Sequence, residues 1–244
     1  MDELWRVQRT REAVGLAETA LPDPDGEDVR GFGTHLTCAL PPVGGNNGPA
    51  SAINNRGRIA GSAQTSVTDS GCPPYQITAA IIWRNGKVQA QVPTVGSDPN
   101  GEALGINSQG HATGYSGTCT AAHHAVMWEN GTATALPDLG VEGVSGGGIS
   151  DKGEIVGQVA RPDGTTAYGA VWQNKGGTYT ITSFNTLRGD YFFFGEGINN
   201  HGLAVGSTQL QNGRLVPRVR LAGRRDCRPS HAVSCQFQPL GNHG

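Results

Sequence analysis

Nine residues have the types that bind or transform a ligand: Trp5, Arg6, Glu102, Arg188, Asp190, Tyr191, Phe192, Phe193 and Glu196. Two carboxyls about 5 to 9.5 Å apart can cleave a glycosidic bond, so Glu102 and Glu196 are weighed as such a pair. Arg6, Glu102, Arg188 or Glu196 could instead polarise a substrate or move a proton, which makes these four the catalytic candidates of a cofactor-free cyclase, isomerase or lyase. Trp5 and the run Tyr191, Phe192, Phe193, Phe194 supply apolar area. A pocket binds through such area plus a few placed polar groups. The same aromatics could equally plug a channel or pack as core.

Other templates are absent. The chain has no Gly-Lys-Ser/Thr phosphate loop and no His-Glu-x-x-His helix. His111 and His201 fall at turns, and His123, His124 and His231 at or beside strand ends, where hydrogen bonding to the frame is the expected role. Asp23, Asp25 and Glu27 alternate as calcium ligands do, but Gly26 and Thr34 stand where an EF-hand needs other residues, so turn chemistry is read there. Asn130-Gly131-Thr132 is a glycosylation sequon inside an expected hairpin. No metal and no cofactor are expected.

The elements that must position these residues are set by a repeat. One nine-residue phrase recurs at Val7–Gly15, Ile53–Gly61, Ile106–Gly114, Ile149–Gly157 and Ile198–Gly206. The starts are 46, 53, 43 and 49 residues apart, the size of one small four-stranded sheet. The expected fold is all-β: one domain over 1–244, a five-bladed β-propeller of four antiparallel strands per blade. The blades fall at about 4–44, 49–95, 102–140, 145–187 and 194–241. The first blade begins at its first strand and the last ends at its fourth, so no blade is completed by strands from both termini.

In the second repeat, residues 49–53 read as strand a, 58–62 as strand b, 79–83 as strand c, and Asn85-Gly86 as the hairpin into strand d. Trp83, Trp128 and Trp172 recur in register and are read as core between blades. The connections b to c and d to a gather on one end of the ring and vary most: 65–78, 115–123, 96–102, 140–147 and 187–195. Binding residues favour variable loops on a rigid frame. Cys72 and Cys119 occupy corresponding loops of repeats two and three, which makes them the best candidates for a disulfide among five cysteines; five reduced thiols is the alternative.

His124-Ala125-Val126-Met127-Trp128-Glu129-Asn130-Gly131, followed by Leu136-Pro137-Asp138-Leu139-Gly140 and Gly148–Gly157, resembles the bacterial HAF repeat, described as a probable extracellular repeat. The likeness covers nearly the whole chain and is clearest in residues 50–206, whereas Val216–His231 departs from it. It implies a repeat architecture and an extracellular placement, and carries no catalytic residues. Residues 1–11 hold no apolar core of signal-peptide length, and no later stretch approaches a membrane span.

Thirty-eight glycines and 16% charged residues suit short strands and tight turns. A net charge of -2 supplies no basic groove for nucleic acid and no polybasic surface for a membrane. The expected function is a binding module for a small molecule or glycan at the loop-rich mouth of the ring; the alternative is the cofactor-free enzyme above, using one pocket there.

Overall fold

The computed structural model describes residues 39–162, 167–184, 190–210 and 214–221. They contain no helix and build four antiparallel sheets in chain order. Sheet I is β1 (Ala50–Ile53), β2 (Arg58–Thr68), β3 (Gln76–Arg84) and β4 (Lys87–Gln91). Sheet II is β5 (Asn100–Ile106), β6 (Ala112–Gly117), β7 (Ala122–Glu129) and β8 (Thr132–Ala135). Sheet III is β9 (Val144–Ile149), β10 (Ile155–Ala160), β11 (Ala167–Lys175) and β12 (Thr178–Phe184). Sheet IV has three described strands, β13 (Asp190–Ile198), β14 (Leu203–Leu210) and β15 (Leu215–Leu221). No described helix is long and apolar enough to cross a membrane.

Local sequence explains the hairpins. Between β3 and β4, Asn85 and Gly86 take φ of 51° and 69°, and between β7 and β8, Asn130 and Gly131 take 50° and 81°. Two successive positive φ angles match the twist of the paired strands, and Asn and Gly adopt them at least cost. Two features differ from the sequence reading. β2 runs to Thr68 and β5 begins at Asn100, so the connections are shorter than 65–78 and 96–102, and Glu102 lies inside a strand. β15 pairs with β14 across Leu203↔Leu221 to Gln209↔Leu215, in a stretch whose Pro217 and missing Trp hide it from the repeat pattern.

The first strands touch in succession, β1 on β5, β5 on β9 and β9 on β13. Their backbones approach so closely that a Cβ on Gly147 would run into the Gly195 carbonyl, and one on Gly105 would stand 2.5 Å from the Gly147 carbonyl. This is the physical reason for small residues there. Each first strand also carries a bulge at a matching place, for example between Ala50 and Ala52 and between Gly195 and Gly197.

Between the sheets lie the tryptophans, 2%, 2% and 0% exposed at Trp83, Trp128 and Trp172. Trp128 packs with Ala60, Ala80 and Ile82 of sheet I, and Trp172 with Ala125, Met127 and Leu136 of sheet II. Each of these three indole N–H groups donates to a proline carbonyl from the preceding repeat: Trp83 to Pro41 at 3.0 Å, Trp128 to Pro93 at 2.6 Å and Trp172 to Pro137 at 2.7 Å. A buried indole needs such an acceptor, because an unpaired buried donor is costly.

The turns from first to second strand are also tied in series. Asn54 Oδ1 accepts from the amides of Arg56 and Arg58, and Asn107 Oδ1 from those of Gly110 and His111. The free amide of Asn54 then donates to the Asn107 carbonyl at 2.8 Å, and that of Asn107 to the Ser150 carbonyl at 3.2 Å. Ser150 lacks a side-chain amide. There the link passes instead through Asp151, whose amide donates to Asn200 Oδ1 at 2.7 Å.

Candidate functional site

The connection from β4 to β5 turns at Gly96, φ 58°, with Asp98 N donating to the Val95 carbonyl at 3.2 Å. This turn delivers Asp98 to the first residues of β7. The Asp98 side chain is 8% exposed and accepts three hydrogen bonds. Ser116 Oγ donates to Oδ2 at 2.6 Å, His124 Nδ1 lies 2.8 Å from Oδ2, and His123 Nδ1 lies 3.2 Å from Oδ1.

Two consecutive residues of a regular strand point to opposite faces, so His123 and His124 should not meet one carboxylate. A bulge removes the conflict. Ser116 pairs with His124 and Gly117 with Ala122, leaving His123 as the extra residue. A bulged residue re-aims its side chain. The two imidazoles stand edge-on, with centroids 6.4 Å apart.

Burial works to raise the pKa of Asp98, but the Ser116 hydroxyl, His124 and His123 outweigh it and hold the carboxyl below its ordinary value. An ionised carboxylate only accepts, so each Nδ1 carries the proton it shares and each Nε2 is turned away from Asp98. His123 Nε2 lies 3.9 Å from Glu142 Oε2, a side chain that is largely exposed.

Beside this hub, a cleft of about 510 Å³ opens between sheets I and II. Ser97 and Pro99, the neighbours of Asp98, form part of its wall, so the hub braces that wall from behind. Val67, Ile77 and Pro99 give the cleft apolar surface, and Thr68, Ser70, Ser97, Thr118 and Thr120 give it hydroxyls. Tyr75, 66% exposed, ends the connection 69–75 on the same side.

Two cross-links hold the cleft's edges. Cys72 and Cys119 form a disulfide that joins the second-to-third-strand connections of sheets I and II, with Cα atoms 6.4 Å apart. Asp69, buried, accepts from Gly71 N at 2.9 Å and from Asn100 Nδ2 at 2.7 Å, while Asn100 Oδ1 accepts from Thr78 N. Asp69 and the two sulfurs lie within 4.8 Å of one another. With the sulfurs joined, they offer no thiolate pair for a metal.

The residues singled out from sequence are divided. Glu102 sits opposite Tyr115 and accepts its hydroxyl at 2.8 Å; burial and then the Glu102 charge push the Tyr115 phenol up. Glu196 is the bulged residue of β13 and accepts from Ser207 Oγ at 2.9 Å. Phe193 is 3% exposed, meets Phe184 edge-to-face at 5.1 Å and packs with Val156, Val171 and Ala204. It therefore takes the core alternative, between sheets III and IV, and not that of a pocket wall. Phe192 and Phe194 lie on the opposite face of β13, rings 6.3 Å apart. Asp190 and Tyr191 belong to β13 by their backbone. Trp5, Arg6 and Arg188 lie outside the described residues, as do the side chains of Asp190 and Tyr191.

Sequence reasoning passed over Asp98, Ser116 and Asp69. The adjacent histidines were a visible signal, but the bulge that makes them converge is not written in residue types. No protein-family model, curated protein or solved structure matches this chain.

Proposed function

We propose that this chain is a five-bladed β-propeller of HAF-repeat type, acting as a binding module for a polyhydroxylated small molecule or glycan at its loop-bearing end. The ring is supported by first strands that touch in succession and by indoles that reach back to the preceding repeat. The ligand reading rests on one observation: a carboxylate hub that recurs nowhere else among the described sheets braces a cleft walled by five hydroxyl side chains. Hydroxyls both donate and accept, as sugar hydroxyls do, and an exposed ring such as Tyr75 suits the apolar face of a sugar.

A glycan array followed by calorimetry on the full chain tests this. Ser97→Ala combined with Thr118→Val should weaken binding about tenfold, or about 1.4 kcal/mol, at an unchanged melting temperature. Binding that ignores both substitutions would refute the cleft as the site.

A second reading has its own observation. The Asp98 bonds fix each histidine with Nε2 turned away from the carboxylate, the arrangement of a general base. If the chain is a cofactor-free enzyme, His124→Gln should abolish turnover while leaving ligand affinity within a few fold.

A further inference from the structure

Among its described side chains, sheet IV is buried on one face only. Its strands alternate: Phe193, Ala204 and Thr208 face sheet III and are at most 3% exposed. The opposite face presents Phe194, Val205 and Leu215 at 37%, 42% and 59% exposure. Contiguous apolar residues left open on a sheet mark an interaction surface.

Sheet I shows what the missing cover is. Its inner cluster of Ala63, Ala79, Ile81 and Trp83 is closed by Leu40 and Val43, and Trp83 donates to Pro41. Residues 40–43 thus stand to sheet I as Leu136 and Pro137 stand to sheet III. They are the tail of a repeat that precedes sheet I. β13 and β1 do not pack together as the other first strands do, so sheets IV and I are not joined as the other neighbours are. The chain before Ala39, outside the described residues, is 38 residues long and carries Val7–Gly15, the phrase that forms the first hairpin turn and leads into the second strand of every described sheet. Sheet II uses residues 100–135, a stretch of similar length.

We infer that the open face of sheet IV is the docking surface for the chain's own first repeat, residues 1–38, which closes the ring by face-to-face packing with no strand shared between the termini. The inference rests on the ring proposed above but not on the ligand proposed for the cleft, so its failure would leave the cleft standing and failure of ligand binding would leave the docking surface standing. An alternative occupant is the same face of a second copy.

Hydrogen exchange on the full chain, with sedimentation velocity, separates these. The amides of Val7–Gly15 should be protected in the native chain. Val205→Glu should reduce that protection at least tenfold, while those of β5 to β11 keep theirs and both proteins sediment as monomers. Leu215→Ser, at the more exposed position, should give the same pattern more weakly if Val205→Glu disturbs the whole fold. Unprotected Val7–Gly15 amides in the native chain would overturn the inference. So would protection that both variants leave unchanged, or a native dimer that Val205→Glu dissociates.

Discussion

The two ends of the sheets are built on different principles. At the turn end, the same bonds recur from sheet to sheet, with Asn54, Asn107, Ser150 and Asn199 each receiving amides of its own turn. At the loop end, apart from the indole bonds to Pro41, Pro93 and Pro137, the described side-chain clusters occur once each: the connection before β5 brings Asp98 to two imidazoles, and the connection 69–75 carries both Cys72 of the disulfide and Asp69 of the Asp69–Asn100 pair. A group needed by every repeat serves the frame, whereas a polar cluster made once, at a cost in burial and backbone irregularity, is what a ligand site requires.

The contrast can be broken most forcefully in the shared frame. Trp128→Ala should cost about 3 to 5 kcal/mol in denaturant unfolding, because it empties the space between sheets I and II and orphans the Pro93 carbonyl. Reduction of Cys72–Cys119, 47 residues apart in sequence, should cost about 2 to 4 kcal/mol and lower the melting temperature. It should also loosen the cleft, which Trp128→Ala affects only through unfolding.

Asn107→Ala removes two acceptor bonds within its turn and the donor bond to Ser150, and should cost about 2 kcal/mol with no effect on ligand binding. Asp98→Asn should show the opposite balance, a smaller loss of about 1 kcal/mol with a clear loss of binding. The carboxyl of Asp98 is held below its ordinary value, so its contribution is complete above about pH 4, the unfolded carboxyl range, and disappears as pH falls through the lower folded value. The stability gap between the native chain and Asp98→Asn should therefore close on acidification below about pH 4, measured by denaturant titration. A gap that widened there would mean that Asp98 is not ionised in the folded state.

Much of the frame was legible because it is repeated. The Trp series, the Asn-Gly hairpins and the pairing of Cys72 with Cys119 each follow from matching one repeat to another, and all lie where that matching puts them. β15 was hidden because Arg220 stands at the register position of the tryptophans, opposite Ala204 as Trp172 is opposite Ile155. The fourth repeat correspondingly has Phe184-Asn185 where the others place a proline. The site was less legible for a related reason. Residue type marked the aromatic run 191–194, yet strand alternation sends Phe193 into the core. The hub depends on a one-residue bulge and on a turn that brings Asp98 to a strand 25 residues away.

The central claim, that the recurring bonds make the frame and the single hub makes the site, is tested most directly by stoichiometry. Calorimetric titration of the full chain with the best glycan from the array should give one site per chain, lost in Asp98→Asn and kept in Asn107→Ala. Several equivalent sites per chain, one for each repeat, would contradict it.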